Sequence, residues 1–209
     1  MKTTNAGRGQ ETRARLLSAA IECFATKGYH AASTRDIAKA AGISPTALYA
    51  HHESKEDLLY LIALDGHEEA VRIVRTARAS SPNPVAQLRA LMHDFVMHHA
   101  TSHLRSRVVN YELNALNRKH LREIGALRRQ IVVEFRAVID LGADSGVLEV
   151  SNRRMATNAL ISMCVDICRW YRDDGISPHE IADSYAELAV RSLVPQAPAT
   201  STPRVVLGQ

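Results

Sequence analysis

The sequence predicts an all-α protein, and three features support that prediction. Long stretches rich in Ala, Leu, Arg and Glu place apolar residues at helical spacing. The ten glycines and seven prolines lie mostly at the joints between these stretches. Residues 33–59 have the pattern of two short helices joined by a glycine turn, followed by the start of a third helix. At 209 residues the chain forms one large domain or two small ones and can bury a sizeable core.

The first short helix is predicted from a cap, an inner face and a stop signal. Ser33 or Thr34 supplies a side-chain oxygen that accepts a hydrogen bond from a free amide in the first turn. Ile37 and Ala41 are four residues apart and therefore share the inner face. Gly42 follows where a left-handed residue ends the helix, a conformation that glycine adopts without steric cost.

The second short helix is predicted to follow Ser44, its cap, with Pro45 at the first helical position, where no N–H is needed. Leu48 points back to the core. The side chains on the other faces are small or polar, as in helices that enter the major groove of DNA. Ser54 caps the next helix, and Asp57 three residues later completes a second capping signal.

Residues 33–59 resemble the TetR/AcrR family of one-component transcriptional regulators. The matching residues are Thr34, Asp36, Ile37, Ala38, Ala41, Gly42, Ile43, Ser44, Leu48, Tyr49, His51, Ser54, Lys55 and Glu56. Two positions depart from the pattern, because the family often has glycine where Thr46 stands and an aromatic residue where His52 stands. The resemblance implies a three-helix helix-turn-helix head and a C-terminal helical bundle for ligand binding and dimerisation, about nine helices in all.

The predicted boundaries follow from this comparison and from composition. We expect a disordered arm over residues 1–10, a helix-turn-helix DNA-binding domain over 11–54, a ligand-binding and dimerisation domain over 55–194, and a disordered tail over 195–209. The predicted helices cover residues 11–27, 54–79, 85–100, 104–117, 117–144, 151–174 and 178–194, in addition to the two short ones.

The second short helix is expected to enter the major groove of a two-fold related operator. Thr46 and Ala47 are expected at base edges or a thymine methyl group, and Arg35 and Lys55 at phosphates. The predicted DNA contacts are Arg35, Ser44, Pro45, Thr46, Ala47, Tyr49, His51 and Lys55.

The distribution of charge agrees with a nucleic-acid partner at the N-terminal end. The net charge is +4. Residues 1–50 carry seven Lys or Arg against three Asp or Glu, whereas the rest of the chain carries nineteen of each. All of the excess positive charge therefore lies on the segment with the helix-turn-helix pattern, where phosphate binding requires it.

A second, looser resemblance connects the segments around Tyr111, Leu127, Phe135 and Gly142 with ligand domains of actinobacterial TetR-type regulators of lipid and steroid catabolism. It implies a small hydrophobic effector or an acyl-CoA thioester. The candidate pocket residues are Met92, Phe95, His99, Tyr111, Arg128, Phe135, Met163, Asp166, Arg169 and Trp170. Arg128, Arg129 and Arg169 are candidates for pairing with a CoA-like phosphate.

The last two helices are predicted to form a homodimer interface. The helix that follows Ser151 is apolar over more than one face and must be covered on more than one side. Two such helices from each subunit form a four-helix, two-fold interface, as the resemblance also implies, and a monomeric core is the alternative. The candidate interface residues are Leu160, Cys164, Ile167, Tyr171, Ile181, Tyr185 and Leu188.

Two alternatives remain open from the sequence. A metal-responsive regulator would use His93, Asp94, His98, His99 and His103, although no third ligand stands at a fixed spacing. An activator of the same fold is equally compatible with the motif. An enzyme is not expected, because there is no Gly-rich phosphate loop, nucleophile elbow or spaced metal signature, and we predict neither a cofactor nor a metal.

The three cysteines are predicted to be reduced and buried, with a redox pair at Cys164 and Cys168 as the alternative to the plain thiols. Residues 1–10 are polar, unlike a signal peptide, and no apolar run reaches the ~20 residues that span a bilayer. The sequence therefore predicts a cytoplasmic protein, without a membrane partner, that binds operator DNA, a small-molecule effector and a second copy of itself.

Overall fold

The computed structural model describes residues 5–51, 54–173 and 175–195. All regular structure in these ranges is helical, which confirms the predicted all-α class. The helices are α1 (Asn5–Lys27), α2 (Thr34–Ala40), α3 (Pro45–His51), α4 (Lys55–Ala79), α5 (Pro84–Thr101), α6 (His103–Tyr111), α7 (Arg118–Asp144), α8 (Arg153–Trp170) and α9 (Pro178–Leu193).

Three helix limits differ from the predicted ones by four residues or more, and one of them is the end of α8, which stops at Trp170 instead of near residue 174. α1 begins at Asn5 instead of near Glu11, because its first turns are polar and carry no apolar period to mark them. The helix expected over 104–117 ends at Tyr111, and a 3₁₀ turn, Leu113–Ala115, follows it. Residues 1–4 of the predicted arm, His52, and residues 196–209 of the predicted tail lie outside the described residues.

One hydrophobic cluster surrounds the helix-turn-helix. It contains the inner faces of α1, α2 and α3 and the first half of α4, where Phe24, Leu48 and Leu58 are almost completely buried. Val108 of α6 and Ile124 of α7 belong to the same cluster. The short helices are therefore packed against a framework that includes two helices from the second half of the chain.

A second hydrophobic cluster lies between the second half of α4 and helices α5, α7, α8 and α9. α9 packs along α5, and α8 packs on α5 and α7. Leu127 of α7 contacts both clusters. Because α4 and α7 both run from one cluster into the other, a shift of either helix moves residues in both.

Candidate nucleic-acid interface and internal cavity

α2 is fixed at both ends by local interactions. The Ser33 hydroxyl accepts a hydrogen bond from the Asp36 amide (3.1 Å), and the Asp36 carboxylate accepts one from the Ser33 amide (3.0 Å). This reciprocal pair is a capping box. After α2 the chain turns at Gly42, whose φ is +67°. The predicted glycine turn is confirmed, and Ser33 rather than Thr34 is the cap.

Asp36 also joins α2 to the end of α1. Its carboxylate lies 3.0 Å from Lys27 Nζ. The hydrogen bonds from Ser33, together with Lys27, lower the pKa of Asp36 to about 2. The carboxylate is therefore ionised at neutral pH and holds the start of α2 against α1.

α3 has the predicted cap and the predicted inner residue. The Ser44 hydroxyl accepts a hydrogen bond from the Ala47 amide (3.1 Å), and Pro45 is the first helical residue. Leu48 is completely buried. Ser44, Pro45 and Thr46 are exposed and Ala47 is half-buried. The side chain of His51, the last residue of α3, is not among the parts that the structure describes.

Tyr49 connects the two short helices at their surface. It is 55% exposed, and its hydroxyl lies 3.0 Å from Thr34 Oγ1. Arg35 and Lys39 of α2 are also exposed. The surface of α2 and α3 therefore offers hydroxyl groups, a phenol ring and two cations, the groups that bind phosphates and base edges.

Lys55 corrects one predicted DNA contact. Its Nζ donates hydrogen bonds to the carbonyl oxygens of Tyr29 (2.7 Å) and Ala32 (2.9 Å) and lies 4.2 Å from the centroid of the Tyr29 ring. An ammonium group has only three donors, and a third carbonyl, that of His30, lies 3.4 Å away. Lys55 therefore fastens the segment before α2 to α4, a role that the predicted phosphate contact did not include.

A partly open cavity of about 120 Å³ lies between α4, α5, α6, α7 and α8. Most of its wall is apolar, with Phe95, Ile131 and Val165 among the lining residues. Three of the predicted pocket residues, Phe95, His99 and Arg128, line it. The polar lining residues are His67, His98, His99, Arg105, Ser106, Asn110 and Arg128.

Three buried histidines give the cavity its chemistry. Burial lowers the pKa of His67 and of His98 to about 4 and that of His99 to about 3. The nearby Arg128 and Arg105 guanidinium groups lower the pKa of His67 and of His98 further. All three imidazoles are therefore neutral at pH 7.

The two arginines at the cavity differ in their partners. Arg105 Nη1 lies 2.9 Å from the Asp65 carboxylate, and Arg105 also pairs with Glu69. Arg128 is exposed and has no carboxylate or hydrogen-bond partner among the described residues. Arg128 therefore offers the cavity wall a positive charge that is not already neutralised.

The other predicted pocket residues lie elsewhere. Met92 and Phe135 are buried in the core of the second cluster, and Met163 is half-buried in α8. The remaining four are exposed at the surface, because they lie on the outer faces of α6 and α8: Tyr111, Asp166, Arg169 and Trp170. Sequence reasoning missed His67 and Asn110, since the apolar pattern of α4 and α6 does not reveal which polar residues point inward.

The predicted dimer interface also requires correction. Five of its seven residues are buried within the chain's own core: Leu160, Cys164, Ile167, Tyr171 and Ile181. Their three- and four-residue spacing places them on the inner face of their helices. Tyr185 is half-buried, and Leu188 is 54% exposed. The exposed apolar residues of these helices are instead Met155 and Trp170 of α8 and Leu188 of α9.

The histidines proposed for a metal site point in different directions. His93 contacts Asp94 and faces α9, His98 and His99 line the cavity, and His103 bonds to the Ala100 carbonyl. They form no group of three ligand atoms within the described ranges. Three side chains in the described ranges do bring possible ligand atoms close enough to share one ion: Glu56, Asp57 and His120, where α4 and α7 begin.

The cysteines agree with the simpler prediction. All three are buried, and burial raises the pKa of Cys168 to about 11. Cys164 is fully buried, and its Sγ lies 3.7 Å from Met92 Sδ. These thiols are uncharged at neutral pH, which disfavours oxidation chemistry.

Among the described residues, no helix is both long and apolar enough to cross a membrane.

Comparison with known proteins matches both halves of the chain to one family. Residues 16–61 match the model of bacterial regulatory proteins of the tetR family, and residues 81–193 match the model of the tetracyclin repressor-like C-terminal domain. The HTH-type transcriptional activator FasR of Mycolicibacterium smegmatis is 32% identical over 169 residues, which cover 78% of this chain and 74% of FasR.

Two further proteins extend the match over most of the chain. The HTH-type transcriptional repressor KstR2 of Rhodococcus jostii is 29% identical over 194 residues, 87% of this chain and 90% of KstR2. The crystal structure of a tetR-family regulatory protein from Rhodococcus RHA1 superposes with a TM-score of 0.83 at 34% identity, covering 89% of this chain and 98% of that one. The chain belongs to the TetR family and is a DNA-binding transcriptional regulator, not an enzyme.

Proposed function

We propose that the protein is a homodimeric repressor that binds a two-fold operator through α3 of each subunit and leaves it when an effector enters the internal cavity. The observation that carries the proposal is the rigidly capped, exposed surface of α2 and α3, whose inner side belongs to the same hydrophobic cluster as the α4 and α7 helices that line the cavity. Arg35, Ser44, Thr46 and Tyr49 are the proposed DNA contacts that the described side chains support.

The effector is proposed to combine an apolar part with an anionic group, as an acyl-CoA thioester does. The apolar cavity wall suits the first part, and the unneutralised Arg128 suits the second. Arg129 and Arg169, the other two candidates for an anionic group, do not line the cavity. A volume of about 120 Å³ takes only the end of a long chain, so a larger effector must widen the space between the helices.

That widening provides the mechanism. An effector shifts the population toward the conformation that it binds more tightly. α4 and α7 both line the cavity and both reach the cluster around the helix-turn-helix, so the ligand-bound arrangement changes the placement of α3. The two subunits then no longer match half-sites at the operator spacing.

The dimer is proposed to form through the outer faces of α8 and α9. Met155 is 60% exposed and Leu188 54% exposed. Large apolar side chains that are more than half exposed on two helices favour a covered interface. A two-fold contact then buries the same residues on both subunits.

Three measurements on the purified protein test this function. Selection from random or genomic DNA fragments should recover a two-fold related site, and T46A and Y49A should lose affinity for it. Acyl-CoA thioesters, screened by anisotropy with that site, should release the DNA, and R128A should weaken the release while leaving DNA affinity unchanged. Transcription in vitro from a promoter that contains the site should fall when the protein is added.

An activator is the second candidate, and the similarity to FasR over 78% of the chain favours it. The transcription assay separates the two. A rise in transcript on adding the protein shows an activator and rejects the repressor, while the DNA-binding result stands in either case.

A further inference from the structure

We propose that the cavity recognises a hydroxyl or N–H group on the apolar part of the effector, with Nε2 of His67 and Nε2 of His99 as the hydrogen-bond acceptors. The inference rests on the proposed function of the cavity as the effector site, and it restricts the class of molecule that the site accepts. A plain hydrocarbon end would leave both nitrogens without a partner.

The tautomer of each ring follows from its backbone contact. Nδ1 of His67 lies 2.8 Å from the Ala63 carbonyl oxygen, and Nδ1 of His99 lies 2.8 Å from the Phe95 carbonyl oxygen. A carbonyl oxygen only accepts, so Nδ1 carries the hydrogen in both rings. In a neutral imidazole the other nitrogen, Nε2, then has a free lone pair and acts as an acceptor.

Neither acceptor has a protein partner in the described part of the chain. Nδ1 faces its own helix, so Nε2 lies on the side of the ring away from it, and both rings line the cavity. The two residues are only 4% exposed. A buried acceptor left without a donor costs roughly 1–3 kcal/mol, so a ligand that supplies a donor gains affinity over one that does not.

The surroundings exclude the obvious competitors for these nitrogens. Carboxylate, phosphate, ether and ester oxygens are hydrogen-bond acceptors, so their lone pairs would face the lone pairs of the Nε2 atoms and be repelled by them. Because the rings stay neutral, they also offer no charge to attract an anion. The apolar groups beside them, Ala70, Phe95 and Ile161, disfavour any further charge. An anionic group therefore belongs at Arg128, and the donor belongs at the two histidines.

The cavity size selects the probes. A dry apolar cavity of ~150 Å³ binds benzene, and this one measures about 120 Å³. Phenol, anisole and toluene are matched single-ring molecules: phenol donates a hydrogen bond, anisole only accepts, and toluene does neither. Dissociation constants for all three are to be measured on the full-length protein by thermal shift and by titration of its NMR spectrum.

We expect phenol to bind at least as tightly as toluene, although phenol costs more to remove from water, and we expect anisole to bind most weakly. Phenol has a single O–H and donates to one ring at a time, so the double variant H67F/H99F should lower the phenol-to-toluene affinity ratio by about tenfold, the equivalent of one hydrogen bond, and each single variant should lower it by no more than that. H93F is the matched control, because His93 lies on α5 but does not line the cavity. It should leave the ratio unchanged.

A second measurement needs no variant. In protein with ¹⁵N-labelled histidine, phenol should shift the Nε2 resonance of at least one of His67 and His99 toward the hydrogen-bonded position, and toluene should shift neither. Toluene and anisole binding as tightly as phenol, with these resonances unmoved by phenol, would overturn the donor requirement and leave the cavity as the effector site. Failure of all three probes to bind would instead reject the cavity as a ligand site, and with it the proposed release mechanism.

Discussion

His120, in the first turn of α7, lies with Nδ1 2.9 Å from a carboxylate oxygen of Glu56 in the first turn of α4. Glu56 also accepts a hydrogen bond from the Asn117 amide (2.9 Å), and the His120 ring stacks on Tyr60 at 3.7 Å between centroids. α4 and α7 are thereby fastened together one residue from Lys55, which holds the segment that precedes α2. This contact joins the cavity helices to the helix-turn-helix.

Glu56→Ala should weaken both the fold and the effector response. The loss of hydrogen bonds to His120 and to the Asn117 amide should lower the free energy of unfolding by roughly 1–2 kcal/mol, measured by urea denaturation. Effector-induced release of DNA, followed by anisotropy, should need a higher effector concentration, because α7 no longer moves with α4.

Glu68→Ala is the control for this change. Glu68 is exposed on α4 and takes part in no hydrogen bond or ion pair within the described residues. Its replacement should alter neither the free energy of unfolding nor the effector concentration that releases DNA. An unchanged effector response in the Glu56 variant would show that the α4–α7 contact does not carry the coupling.

Lys55→Met should lower operator affinity without changing the salt dependence of binding. The variant loses the bonds to the Tyr29 and Ala32 carbonyls, so the segment before α2 is less well fixed, but no phosphate contact is removed. The slope of log K against log salt should stay the same. Arg35→Met, the comparison, should reduce the slope by about 0.9 if it contacts one phosphate. A reduced slope for the Lys55 variant would instead identify it as a phosphate contact.

The buried histidines make the protein less stable in mild acid. Unfolded histidine takes up a proton below about pH 6.5, whereas the folded pKa values of His67 and His98 are about 4. Between these values the unfolded chain binds more protons, so the free energy of unfolding falls as pH falls, by up to about 1.4 kcal/mol per pH unit for each histidine.

Urea denaturation between pH 7.5 and 4.5 measures this effect. H67F should show a shallower pH dependence than the parent protein, and the exposed His179→Phe should show the same dependence. Asp36, with its pKa lowered to about 2, adds a further loss only below about pH 4. If the free energy of unfolding changed with pH equally in the parent and in H67F, the acid sensitivity would not come from His67.

Leu188→Glu and Met155→Glu should each convert the proposed dimer to monomer. Both side chains are more than half exposed in the single chain, so a charge there leaves the fold intact but is buried by a two-fold partner. Size-exclusion chromatography with light scattering gives the mass. Exposed Glu149→Ala, outside α8 and α9, is the control, and a dimer that survives both interface changes would place the contact on another face.

Two glycines of α7 should respond oppositely to alanine. At Gly142 an added Cβ would lie 2.3 Å from Leu148 Cδ1 and 2.5 Å from Cγ, and Leu148 is buried. At Gly125 the nearest atom is the flexible end of Arg129, 3.5 Å away. Thermal unfolding should show Gly142→Ala destabilised by about 1–3 kcal/mol and Gly125→Ala stabilised by up to about 1 kcal/mol. If both variants changed the stability in the same direction, the close packing of Leu148 on Gly142 would be contradicted.

The sequence by itself determined the all-α class, the caps of the two short helices and the family. Ser33 and Ser44 act through hydrogen bonds to amides three positions away, and Gly42 and Pro45 act through their own backbone angles. Such local signals operate in any environment that permits the helix. The inner residues Ile37 and Leu48 were equally predictable, because helical spacing alone places them on one face.

Only the tertiary structure decided which polar residue serves which purpose. Lys55 has the charge of a phosphate contact, yet it is used by carbonyls more than twenty positions away in the chain. His67 carries no distinguishing pattern, yet the approach of α5 and α7 makes it part of a cavity wall. Cys164 and Leu188 were both predicted at the dimer interface, but helix packing buries Cys164 inside the chain and leaves Leu188 exposed. Periodicity gives the faces of one helix, whereas the choice of face that is covered depends on contacts between helices distant in sequence.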